Sequence, residues 1–180
     1  DLDNDTDLDL VLVNGYIPVT NLRRDAERIQ VFRNLLAEGR EGRFREVRDA
    51  VQGVGRVVAR GSAAADYDND GDLDVAVLPL GKPLVLLQNR GAVGWLEVVL
   101  DGTPPGAEVT VTLSDGRKLR RELQAGSSYL SSEDPRLLFG LGDAGRVSAL
   151  VIRYPDGTQT RLDDVAATAA QGDPPAHEIA

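Results

Sequence analysis

The sequence predicts an all-β protein in two parts, strand-rich repeat units followed by a small antiparallel β domain. Three observations predict it. An aspartate-rich nonapeptide occurs twice, at residues 1–9 and 66–74, and each copy runs into a short apolar stretch. Segments rich in β-branched residues and bounded by Gly, Pro or Asn recur along the chain, as strands between turns do. From Trp95 onward the aspartate repeat stops and closely spaced strand patterns with tight-turn signals take over.

The elements follow in order. Residues 8–13 read as a strand closed by Asn14-Gly15, and residues 73–78 as its counterpart closed by Pro79. Between them, Asn21 resembles a helix cap and Leu22, Ala26, Ile29 and Leu36 suit a helical face. The pattern predicts a short helix over 22–27, then strands over 29–34 and 44–47; another strand is expected over 83–89. A fixed repeat of such units points to stacked or radial packing, because one unit cannot bury its own apolar face. The boundary is placed near 91–94, giving repeats over 1–92 and a second domain over 93–162. That domain is predicted to contain strands over 95–100, 108–113, 118–123, 136–139 and 147–154. Ser114-Asp115-Gly116 and Pro155-Asp156-Gly157 serve as hairpin turns. Alternation in Glu108-Val109-Thr110-Val111-Thr112-Leu113 predicts a sheet with one wet face. The Ala-rich and Pro-rich stretch over 163–180 reads as a flexible tail.

Composition narrows the function. The 180 residues are 42% hydrophobic and 27% charged, ordinary for a globular chain. No apolar run approaches the roughly 20 residues of a membrane span. Cysteine is absent, which excludes disulfides, zinc-thiolate sites and a Cys nucleophile. Methionine is absent too, so the sequence reads as a piece of a longer chain whose export signal would lie upstream. The net charge of −9 is local: setting aside the ten aspartates of the two clusters leaves 19 acids against 20 bases. Two anionic loops on a nearly neutral body call for a bound cation and argue against nucleic acid.

A hard divalent cation takes six to eight oxygens, and flexible carboxylate-heavy sets favour calcium. Carboxylates at alternate positions of a nine-residue loop can wrap one. On this scheme Asp66, Asp68, Asp70 and Asp74 supply side chains and Asp72 a carbonyl, with Gly71 making the sharp turn. Asp1, Asp3, Asp5, Asp7 and Asp9 repeat the set, except that Thr6 stands in place of the glycine and resists that backbone geometry. A helical calcium hand needs Glu at loop position 12, and those positions hold Val77 and Leu12.

Asp-x-Asp-Asn-Asp-Gly-Asp-Leu-Asp with Val-Ala-Val, together with Val31-Phe32-Arg33-Asn34 and Gly42-Arg43-Phe44-Arg45-Glu46-Val47, resembles the FG-GAP/VCBS repeats of calcium-loaded β-propellers. Gly106-Ala107-Glu108-Val109-Thr110-Val111, Gly126-Ser127-Ser128-Tyr129-Leu130-Ser131, Arg136-Leu137-Leu138-Phe139-Gly140-Leu141-Gly142 and Arg153-Tyr154-Pro155-Asp156-Gly157 resemble the ASPIC/UnbV domain of cartilage acidic protein 1-like proteins. The resemblance extends to about Leu162. It implies the terminal blades of a β-propeller followed by a C-terminal β domain, normally exported to the cell surface, periplasm or exterior. After it the chain departs from the pattern, with Ala-Ala-Thr-Ala-Ala-Gln and Pro-Pro-Ala-His where a last strand is expected.

Signals that imitate catalysis have simpler readings. Gly140-Leu141-Gly142-Asp143-Ala144-Gly145 fits a dinucleotide fingerprint, yet the β-branched run after it predicts a strand and hence a turn. Ser127, Ser128 and Ser131 lack a base, since the sole histidine is His177 in the tail, and are expected to satisfy backbone groups at a bend. Trp95 reads as core. The expectation is a non-enzymatic, calcium-stabilised interaction module with a protein or glycan partner. The alternative is a carbohydrate-binding accessory domain or part of a secreted enzyme.

Overall fold

A computed structural model describes residues 1–91 and 94–167 and the backbone of 177–179. Among these residues there is no α-helix, and four small sheets carry the fold. Strands β1 (Leu10–Leu12), β2 (Gln30–Asn34) and β3 (Phe44–Glu46) form the first repeat sheet, antiparallel in sequence order, with Leu10 opposite Phe32 and Phe32 opposite Glu46. Strands β4 (Ala59–Ala65), β5 (Asp74–Pro79) and β6 (Val85–Leu87) form the second, again in order. Ala65 faces Asp74 across that hairpin, so the second aspartate loop is the β4–β5 connection.

The expected helix over 22–27 is a single turn. Asn21 does cap, its side-chain oxygen accepting the Arg23 and Arg24 amides at 3.0 Å each. Asp25, however, folds back to accept the Thr20 and Asn21 amides at 2.6 and 2.7 Å, which closes the segment after one turn. Ala26 and Glu27 then bridge to Gly15 and Val57 and bury Ala26, a gain that overrides local helix preference. Strand β4 was not anticipated: Ala-Arg-Gly-Ser-Ala-Ala-Ala has no β-branched residue, and its pairing is imposed by β5 and by the segment around Ser128.

In the C-terminal part, β8 (Glu108–Leu113), β9 (Lys118–Glu122), β11 (Val147–Arg153) and β12 (Gln159–Val165) form a sheet ordered β12-β11-β8-β9, both hairpins turning at the expected glycines. Strands β7 (Trp95–Leu100), β10 (Leu137–Gly140) and β13 (His177–Ile179) form the other, in the order β10-β7-β13. The tail expected over 163–180 thus contains the end of β12 and a strand paired in parallel with β7, which otherwise presents an open edge; the rest, 168–176 and 180, lies outside the described residues. Val109, Val111 and Leu113 point inward and Glu108, Thr110 and Thr112 outward, as the alternation predicts.

The two C-terminal sheets share a core of fifteen buried apolar residues centred on Phe139, Leu96, Val111 and Ile152; the repeat sheets share one of five, Ile29, Val57, Ala59, Val75 and Val77. The repeats therefore hold themselves together far less by apolar burial. Strands β7 and β10 are buried on both faces. Leu96, Val98, Leu137 and Phe139 face the core, while Trp95 and Gly140 lie against the aspartate loops.

Candidate metal centre

The second loop is shaped by its own carboxylates. Asp74, first residue of β5, accepts the Tyr67 amide at 3.1 Å and the Asn89 amide at 2.7 Å, tying the loop entrance to the end of β6. Asp66 accepts the amides of Asp70 (3.1 Å) and Gly71 (2.9 Å), and Asp70 that of Asp72 (3.0 Å). Asp72 turns away and accepts the Gly91 amide at 2.5 Å. Asn69 and Gly71 take left-handed φ of 59° and 91°. A side chain at Gly71 would also overlap the Trp95 indole, so the glycine is required twice. The result brings one oxygen each of Asp66, Asp68 and Asp74 within 4.8 Å of one another.

The first loop repeats the plan. Asp9 accepts the amides of Leu2 (2.8 Å) and Asn34 (2.9 Å), Asp5 that of Asp7 (3.2 Å), and Asp7 that of Ala37 (2.8 Å). Here Asp1, Asp3 and Asp5 converge. Thr6 nonetheless holds φ at 91°, the value of Gly71, although a β-branched residue resists it. The strain, about 1–3 kcal/mol for such a residue, is held by the neighbours: Asn4 O accepts the Gly142 amide at 2.9 Å and Thr6 Oγ1 accepts from Arg117 at 2.9 Å.

Of the ten expected aspartates, six thus converge in two groups of three, and Asp70 and Asp9 stand just outside them. Asp7 and Asp72 spend their carboxylates on the next turn, which leaves position 7 only its carbonyl to offer a cation. Inside the first loop, Asp1 Oδ1, Asp3 Oδ1 and Asp7 Oδ1 are buried with no hydrogen-bond partner. A buried carboxylate oxygen without a donor is costly, and a cation is the partner that all-oxygen sites accept. The residues present fit a hard metal ion.

Burial pushes the carboxyl groups of Asp66, Asp72, Asp3 and Asp7 above their ordinary range, and neighbouring aspartates push further in the same direction. Asp25, outside the loops, is instead held down to about 2 by the Asn21 and Thr20 amides. The loops differ in the tethered charge beside them. Arg33 makes ion pairs with Asp3 (2.7 Å) and Asp5 (2.9 Å), whereas the corresponding Gln88 donates to Asp68 at 2.5 Å and brings no charge.

Residues outside the two nonapeptides complete the site. Asn34 and Asn89 anchor Asp9 and Asp74; their signal was the apolar-apolar-x-Asn pattern that follows each loop, Val31-Phe32-Arg33-Asn34 and Leu86-Leu87-Gln88-Asn89. Arg136 donates to Asp66 O at 2.6 Å and Asn69 Oδ1 at 2.7 Å while pairing with Asp134 and Glu97. Glu97, buried, has its carboxyl pushed up by that burial. No sequence pattern marked these partners.

Compared with known families, residues 1–77 match the FG-GAP-like repeat and residues 102–170 match ASPIC and UnbV. The chain is an FG-GAP repeat region with a C-terminal ASPIC/UnbV domain. No curated protein matches it significantly. In the ASPIC/UnbV part the serines act as expected: Ser128 Oγ accepts the Ser62 amide at 3.2 Å and Ser131 Oγ bonds Tyr129 O. The Gly140–Gly145 stretch leads through a 3₁₀ turn at Gly142–Ala144 into β11, with no helix to receive a dinucleotide.

Proposed function

We propose that the chain is a calcium-stabilised, non-enzymatic interaction module of an exported protein, with calcium structural in both aspartate loops. The observation that carries this reading is the convergence of Asp66, Asp68 and Asp74, and of Asp1, Asp3 and Asp5, at the mouths of sheets with little apolar core. Asp70 and Asp9 would complete the two sets through small side-chain shifts. The ion supplies positive charge that cancels carboxylate repulsion; the chain's own part is to fix the carboxylates with backbone amides before the ion arrives. The FG-GAP and ASPIC/UnbV likeness supports an adhesion-type role outside the cell. Among the described residues no helix is long and apolar enough to cross a membrane.

Leu10, Leu12, Leu84 and Leu86 stay exposed on the repeat sheets, which supports further propeller blades as their cover. Burial of Trp95 against Gly71 removes the sole tryptophan as a sugar platform and weighs against the glycan-binding alternative. Titration calorimetry with calcium, then magnesium, tests the reading. Two calcium sites filled below about 1 mM, the upper range of extracellular modules, are expected. Absence of calcium heat overturns it, and turnover of any glycan by the loaded protein overturns the non-enzymatic assignment.

A further inference from the structure

We propose that the Gly140-Leu141-Gly142 turn of the ASPIC/UnbV domain is the seat of the first aspartate loop, so that docking of this domain and metal loading of the loops form one coupled equilibrium. The coupling rests on the calcium reading above; the seat rests on geometry alone.

Gly140 lies on β10 opposite Trp95, with a φ any residue can adopt, so its own backbone does not demand glycine. The loop demands it. A Cβ there would overlap Asn4 Cα and lie 2.7 Å from both Asn4 C and Asp1 Oδ2. Two residues on, the Gly142 amide donates to Asn4 O at 2.9 Å. Arg121, on β9, lies over the Phe139 ring, 5.4 Å from its centre, and reaches Asp1 Oδ2 at 3.3 Å. That leaves Asp1 Oδ1 buried and without a donor on the side of Asp3 and Asp5. The Asn4 side chain carries the position onward, donating to Gly71 O at 2.9 Å and Asp72 Oδ1 at 3.1 Å in the second loop.

The physical consequence is pre-organisation. The seat fixes the left-handed Asn4 and Thr6 that the first loop needs to curl its carboxylates inward, so the docked loop does not have to be ordered by the ion. Linkage is reciprocal: whatever factor docking adds to metal affinity, metal adds to docking.

The test is Gly140→Ala in the full chain, with Gly55→Ala as control because a Cβ there meets open space at an ordinary φ. Calorimetry reads calcium affinity, and hydrogen exchange of the Gly142 amide in chelator reads docking without metal. Expected is a drop of about tenfold in affinity at the first site, within the usual range of coupling between sites. Faster Gly142 exchange should accompany it, with the core amides of Val111 and Ile152 still protected. Wild-type constants and wild-type Gly142 exchange in Gly140→Ala overturn the seat while leaving the calcium reading intact. No calcium binding by the wild type overturns that reading and the coupling, and Gly142 exchange then decides the seat by itself. Asn4→Gly keeps the φ of 55° and removes only the side-chain bridge, avoiding any overpacking. It should weaken the second site by at least about fivefold; an unchanged second site refutes transmission through Asn4.

Discussion

Chelating calcium should lower the melting temperature by a large and calculable amount. In each loop three carboxylate oxygens lie within 4.8 Å of one another. At that spacing each pair of charges repels by about 0.9 kcal/mol in a water-like dielectric and about 3.5 kcal/mol at an effective dielectric of 20. Three pairs therefore cost about 3–10 kcal/mol per loop, comparable with the whole stability of a domain. A cation present at about a hundred times its dissociation constant adds about 2.7 kcal/mol per site. Two independent sites then raise the melting temperature by about 10–20 °C for a chain of this size. The assay is scanning calorimetry in about 5 mM calcium against about 5 mM chelator, with ionic strength matched by potassium chloride so that plain screening cannot imitate binding. Equal melting temperatures in the two buffers would refute the reasoning, as would a potassium-matched control that reproduces the whole shift.

Three further outcomes are expected. Asp70→Asn keeps the bond to the Asp72 amide and loses the charge, while Asp70→Ala loses both; calorimetry should show both weakening the second site by at least about tenfold, Ala more than Asn. Wild-type affinity in Asp70→Ala would remove Asp70 from the site. Arg33→Gln makes the first loop resemble the second and removes one positive charge near the ion, so first-site affinity should rise about fourfold, a unit charge about 5 Å away in water; a fall would mean that Arg33 serves the metal site. The pH dependence follows from Asp3, Asp7, Asp66 and Asp72, whose folded pKa values lie above the ordinary value of 3.8. In metal-free protein their contribution is full below the unfolded value and is lost as pH rises through the folded values. Acidifying from about pH 7 to about pH 5 should therefore raise the metal-free melting temperature and shrink the calcium increment, since protons compete with the ion. An increment that grows on acidification would contradict this.

The sequence by itself determined what depends on local chemistry. Alternation placed Val109, Val111 and Leu113 inward, Pro155-Asp156-Gly157 marked its hairpin, and the doubled spacing of aspartates located both loops. Such features depend on a side chain and its immediate neighbours, and a sequence records neighbours directly. Only the tertiary structure decided the rest. Asp25 and Val57 turned a plausible helix into a turn, β5 made a strand of the alanines of β4, and Thr6 took a glycine's backbone because Gly142 and Arg117 hold it there. Arg121 and Arg136 reach the loops from 120 and 70 residues away in the chain, to Asp1 and to Asp66 O. Contacts of that separation are selected by packing between sheets, which local propensity does not encode.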